Sequence, residues 1–300
     1  MTPFAERAEE MGLMVIEGKG LYQYSDRYGQ VVYRQLAPIP TPPTHQTDEL
    51  TTPLLGIYTR ENSDNDFVYR GYVSDSYRFI GNDALLDRIR TAINAVGTPI
   101  LDEQIFQNYE FTRLRDEIII SSSQNIQQVG DVMPVMVVDN SYNGTKAACL
   151  SFGIATSIGE RYAVFSFKLG EMRQVHIASS RTSLTSAITS YMQVFTDNIS
   201  EMITESFNSS ISGDDLLRLL DVIENHGKKR REKISELLAE QTGVTEGEPQ
   251  RPTAWQVFLA IVRYSSLEEN LNIKRLLENA AESVLVIPTR MRAVMERLQT

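Results

Sequence analysis

The chain has little soft-ligand chemistry to offer, with one cysteine, Cys149, three histidines and one tryptophan in 300 residues. A single thiol excludes an internal disulfide, and beside three scattered histidines it cannot complete a structural zinc site. Long apolar runs are also missing. No stretch approaches the ~20 residues a membrane helix needs, and the opening MTPFAERAEEMGL is acidic where a signal peptide needs a basic flank. These absences predict a cytoplasmic protein without a membrane segment.

Enzyme signatures are sparse. The GKG at 18–20 has neither the second half of the Walker spacing nor a Ser/Thr after a terminal Gly-Lys. Cys149 and His176 could pair as nucleophile and base, but Cys149 stands in an apolar run, where cysteine behaves as a small hydrophobe. Asp64 with Asp66, and Asp214 with Asp215, read as turn and helix-start residues rather than metal carboxylates. The expectation is therefore a protein that is not an enzyme and carries no cofactor and no metal.

What is present is globular composition, 42% apolar and 23% charged, on an acidic chain of net charge −10. Such a balance argues against coating nucleic acid with the whole surface, so any polyanion contact should be local and salt-sensitive. Charge is uneven: −7 over residues 1–120, −2 over 121–213 and −1 over 214–300. The last third is nearly neutral because of HGKKRREK, residues 226–233, which places five basic side chains in six positions.

The period of the apolar residues divides the chain. After a short N-terminal helix, GLYQYSDRYGQVVYRQL alternates around a Tyr-Gly turn as a hairpin does, and residues 37–53 form a Pro-rich loop with five prolines. GIYTRENSDNDFVYRGYVSDSYRFI resumes the strand pattern, and DALLDRIRTAINAVG reads as a helix capped by Asn82 or Asp83 and ended by Gly97. Asn143-Gly144 between two apolar runs is a type I′ hairpin signal, and RYAVFSFKLG adds a strand. From residue 183 the period becomes helical, with Leu184, Ile188, Tyr191, Phe195, Ile199, Met202 and Ile203 on one stripe that suits either a core or a contact between copies in a homo-oligomer. A helix from Ser212 and its continuation to Gly243, a linker at 243–252 and two more amphipathic helices follow. The fold class expected is α+β: antiparallel sheet in the N-terminal and middle regions, then a helical C-terminal half. The boundary falls between 1–182 and 183–300, unless the two form one integrated domain.

Two features could hold a nucleic-acid strand. Lys228, Lys229, Arg230, Arg231 and Lys233 lie on or just after a helix, where residues three and four apart share a side. If all five touched phosphates of one single strand, binding would fall with salt at a log-log slope near ~3.5. The alternative is a solvated helix face paired with Glu224, Glu232 and Glu236. The other feature is aromatic: Tyr22, Tyr24, Tyr28, Tyr33, Tyr69, Tyr72 and Tyr77 interleave with Arg27, Arg34, Arg70 and Arg78, and stacking on tyrosine is how unpaired bases are held without sequence readout. Arg70, Arg78, Tyr72 and Tyr77 are the candidates there, with Arg113 and Arg115 as a further phosphate path.

Three stretches carry a resemblance. GYVSDSYRFIGNDALLDRI, VGDVMPVMVVDNSYNGTKAACLSFGI and RPTAWQVFLAIVRYSS resemble, in the same order, the tyrosine-bearing strand, the Asn-Ser-x-x-Gly-Ser hairpin and the Thr-Ala-Trp helix of a phage- and plasmid-related domain-of-unknown-function family, over residues 70–285. The chain departs from that pattern in SFGIATSIGERYAVF, which lacks the family's Asn-Thr pair, and in VHIASSR, which reduces its Arg-His pair. The resemblance implies a bacterial-virus origin. Among such viral proteins the chain is similar to acidic single-stranded-DNA-binding cofactors that recruit the virus's own small RNA polymerase. It thus implies two partners, single-stranded DNA and a phage RNA polymerase. The runner-up is a phage protein-interaction or assembly module that does not touch nucleic acid.

Overall fold

The computed structural model describes residues 14–16, 21–26, 29–35, 54–60, 67–74, 80–107, 113–126, 129–142, 148–158, 161–173, 184–225, 227–242 and 251–299. The fold is α+β, with antiparallel sheet in the first half and helices in the second, as the change of period at 183 implies. The expected N-terminal helix, the Pro-rich loop, the Asn143-Gly144 turn and most of the 243–252 linker lie outside the described residues.

Five strands form the first sheet in chain order: β1 (Met14–Ile16), β2 (Leu21–Asp26), β3 (Gly29–Gln35), β4 (Leu54–Arg60) and β5 (Phe67–Ser74). Each neighbour pair is antiparallel, and β2 meets β3 in the expected hairpin register, Asp26 opposite Gly29. Helix α1 (Asn82–Val96) follows, and Gly97 ends it with φ +79, a conformation that favours glycine.

The second sheet has the order β11-β10-β9-β7-β6, built from β6 (Ile100–Gln107), β7 (Arg113–Ile120), β9 (Gly130–Ser141), β10 (Cys149–Ile158) and β11 (Arg161–Ser166). Short β8 (Gln124–Ile126) pairs with β9, and β12 (Met172–Arg173) with β10. The two apolar runs flanking Asn143-Gly144 are thus neighbouring strands, β9 and β10. Both are buried along nearly their whole length, which is why they read as continuous apolar runs rather than as an alternation.

The helices are α2 (Leu184–Asn208), α3 (Gly213–Glu224), α4 (Lys228–Thr242), α5 (Ala254–Ser265), α6 (Leu271–Glu282) and α7 (Thr289–Leu298). Ser212 caps α3 by accepting from the Asp215 N–H at 3.1 Å, and Thr253 with Gln256 forms a reciprocal capping box on α5. Helix α7 is additional to those expected; it starts after Pro288 with no side-chain cap to announce it.

Contacts divide the chain into one compact unit of residues 1–91, 105–115 and 138–148, and another of 92–104, 116–137 and 149–300. The 182/183 boundary therefore marks a change of secondary structure rather than the edge of a compact unit. The reason is aromatic packing within the second unit: Tyr191 of α2 stacks on Phe152 of β10 at 4.5 Å, and Phe258 of α5 meets Phe165 of β11 at 4.9 Å. Gly153 is required at that seam, since a Cβ there would lie 1.9 Å from the Phe165 carbonyl oxygen. The Tyr191 hydroxyl donates to the Gly153 carbonyl, and burial pushes its pKa far above the ordinary tyrosine value. The stripe from Ile188 to Ile203 is buried within this core, which decides between its two uses.

Candidate nucleic-acid interface

The basic run begins at a break. Gly227, at φ +140, separates α3 from α4 and lets α4 start at Lys228. On the new helix the cations are matched by carboxylates. Lys228 faces Glu232 at 3.8 Å, Lys233 bonds Glu236 at 2.8 Å, and Arg230 reaches Glu268 at 3.1 Å. Arg231 bridges back to α3, meeting Asp221 at 2.9 Å and Glu224 more closely still. Hydrogen bonds that they donate to Glu224 and Glu236 raise the pKa values of Arg231 and Lys233 respectively. Lys229 is exposed and makes no ion pair among the described residues. The carboxylates engaged include all three named in the solvated-face alternative, so four of the five cations have partners within the chain.

The aromatic candidate is built differently. β5 is an edge strand of its sheet, and Tyr69 and Tyr72 on it are 50% and 58% exposed. Residues three apart on a regular strand point to opposite faces. Here the register shifts between Ile57 and Tyr58: Tyr69 pairs with Tyr58, but Gly71 pairs with Ile57, leaving Arg70 as an extra residue. Tyr72 then pairs with Gly56, two positions from Tyr58, so both exposed rings share the Tyr58 face. The Tyr58 ring braces Tyr69 edge-on, with centroids 5.5 Å apart. Gly56 opposite Tyr72 adds no side chain to that face.

Not every sequence candidate belongs to this platform. Arg70 is half-buried and its Nε donates to Oγ1 of buried Thr59 at 2.9 Å, on the side opposite the tyrosines. It braces the bulge instead of standing beside the rings. Arg115 is buried and Arg113 lies 4.0 Å from buried Asp139, which removes both from any surface phosphate path. Tyr77 and Arg78 lie outside the described residues, as do Tyr28, Arg27, Asp64, Asp66 and His176. The side chains of Tyr22, Tyr24, Tyr33 and Arg34 are likewise not described.

The stretches that carry the family resemblance hold structural tie points. Asn140 Nδ2 donates to the Ile80 carbonyl at 2.9 Å and to Asn82 Oδ1 at 2.8 Å, while the Asn82 N–H donates to the Tyr142 hydroxyl at 3.2 Å. Residues of the Asn-Ser hairpin stretch thereby fix the start of α1. In Thr253-Ala254-Trp255 the threonine caps α5 and the other two side chains are core. Cys149 is buried, and among the described residues no group of three His, Cys, Asp or Glu side chains is placed to hold a metal. No helix among the described residues is long and apolar enough to cross a membrane. No family model, no curated protein and no solved structure matches the chain.

Proposed function

We propose that this chain is a non-enzymatic, sequence-tolerant single-stranded-DNA-binding protein that holds unpaired bases on the Tyr69–Tyr72 face of β5. The observation that carries the reading is the bulge at Arg70, which turns two tyrosines three residues apart onto one exposed face of an edge strand. Exposed, braced rings accept any base, because every base has a π-face. The basic run contributes less than its five charges suggest, because Arg230 and Arg231 are held by Glu268, Asp221 and Glu224, whereas Lys228 and Lys233 keep only exposed pairs. The sequence resemblance extends the reading to a viral protein that assists or recruits a phage RNA polymerase.

A second reading, a protein-interaction module, draws on Leu217 and Val222 of α3, which are 51% and 52% exposed. The two readings separate in a mobility-shift titration with single-stranded and duplex oligonucleotides at two salt concentrations. The DNA-binding reading expects preference for single strands and a log-log salt slope between ~1 and ~2, under the ~3.5 of five free cations. Absence of single-strand binding at about 100 mM salt, a concentration at which phosphate contacts still operate, leaves only the interaction module.

A further inference from the structure

A cleft elsewhere in the chain gathers cations that the basic run does not include. The turn after β11 is pinned by Glu282 of α6, whose carboxylate accepts from the N–H groups of Lys168 at 2.8 Å and Leu169 at 3.2 Å. Gln299 donates to the Lys168 carbonyl at 3.1 Å, and Gly170 takes φ +91 against Met295. A cleft of about 410 Å³ opens there, lined by Lys168, Glu171, Arg173 and Gln299. The one carboxylate among its described lining residues is already engaged: Arg275 meets Glu171 at 2.5 Å. Arg173 touches Glu171 only through Nε at 3.5 Å, and its side chain is 71% exposed. Lys168 is exposed and makes no ion pair among the described residues.

On a chain of net charge −10, Lys168, Arg173 and Arg275 gather at this cleft against the carboxylates of Glu171, Glu278 and Glu282, so the cleft is locally neutral where the chain is acidic. We infer that this cleft binds a phosphoryl anion, with Lys168 as the point charge and the Arg173 guanidinium as the planar donor. The backbone held by Glu282 and Gln299 fixes the turn in advance, so binding has to order the two side chains but not the turn that carries Lys168. The phosphoryl group can come from a nucleic-acid strand or from a free nucleotide or pyrophosphate. The inference is independent of the tyrosine face.

Calorimetric titration of the full chain with sodium pyrophosphate in low-salt buffer tests it. Saturable binding is expected, with a loss of about tenfold or more in Lys168→Gln/Arg173→Gln and none in Tyr69→Ala/Tyr72→Ala. Both cations are exposed, and the single variant Lys168→Gln carries the same expectation, at about threefold, should the double variant fail to fold. Displacement of pyrophosphate by oligo-dT assigns the site to a strand; retention assigns it to a free phosphoryl ligand. Absence of saturable binding by the wild type, or equal binding by the variants, overturns the inference.

Discussion

The helix carrying Lys228 to Lys233 and the strand carrying Tyr69 and Tyr72 are the two sequence features that suggest a nucleic-acid surface, and they differ in what they leave available. On α4 the density of charge is high, but Glu268, Asp221 and Glu224 hold both arginines within the chain, and Glu232 and Glu236 share two of the three lysines in exposed pairs. On β5 only two rings are in play, yet a one-residue bulge exposes both on the same face. Local composition measures supply; the partners each side chain finds in the fold determine how much remains for a ligand. A basic run in an acidic protein is apt to find such partners.

Each half of that comparison can be broken by substitution. The largest effect is a calibration of what an engaged cation is worth. Lys274 and Glu117 form a 2.8 Å pair with both side chains buried, and Lys274→Ala should cost about 3–5 kcal/mol in chemical denaturation, because it removes the lysine's charge from beside a buried carboxylate. Arg230→Ala breaks a pair nearer the surface and should cost about 1 kcal/mol. Equal losses would mean that the basic run is as deeply built into the core as Lys274.

Next in size is the aromatic face. Stacking is worth about 1–3 kcal/mol per base, so Tyr69→Ala/Tyr72→Ala should weaken single-strand binding roughly 30-fold or more in a fluorescence titration. Unchanged affinity would remove the tyrosines from the interface.

A third test is alkaline stability. Burial raises the Tyr191 pKa, so above about pH 10 the unfolded chain ionises this group while the folded chain keeps its proton, and stability should fall by up to about 1.4 kcal/mol per pH unit. Tyr191→Phe should flatten that slope. Lys233 acts in the same window through a raised amine pKa: the stability it contributes is complete below its unfolded value of 10.5 and is lost as pH rises through its folded value. The Lys233–Glu236 pair is thus intact at neutral pH. The smallest effect belongs to Lys229→Ala, which should lower the log-log salt slope by about 0.7 and leave stability unchanged.

Element type was readable wherever a local rule is also the global one. Ser212 and Gly97 are helix ends by their own chemistry, and the 184–203 stripe was readable as a buried helical face, while its place in the core rather than between copies came from the fold. Residues 98–128 show no marked alternation, since β6 is only half-buried and β7 is buried on successive residues, so their strands come from pairing in the sheet. The candidate site was half readable. Tyr72 and the exposed α4 charges were visible as residue types, but whether rings three apart share a face depends on one unpaired residue, and β-bulges leave no fixed sequence mark. Likewise Glu268, which engages Arg230, lies 38 residues away and comes near only through the fold. The Lys168–Arg173 cleft had no signal at all, because two cations five residues apart are ordinary in a sequence and the cleft's shape is set by Glu282 and Gln299 from far along the chain.

Titrating oligo-dT against two variants side by side, Tyr69→Ala/Tyr72→Ala and Lys228→Ala/Lys229→Ala/Arg230→Ala/Arg231→Ala, asks whether bases are held by the β5 tyrosines or by the basic run. Binding should be roughly 30-fold weaker in the first variant and change by under about tenfold in the second. A strong loss in the four-cation variant, with full affinity in the tyrosine variant and both proteins folded, would contradict the tyrosine reading.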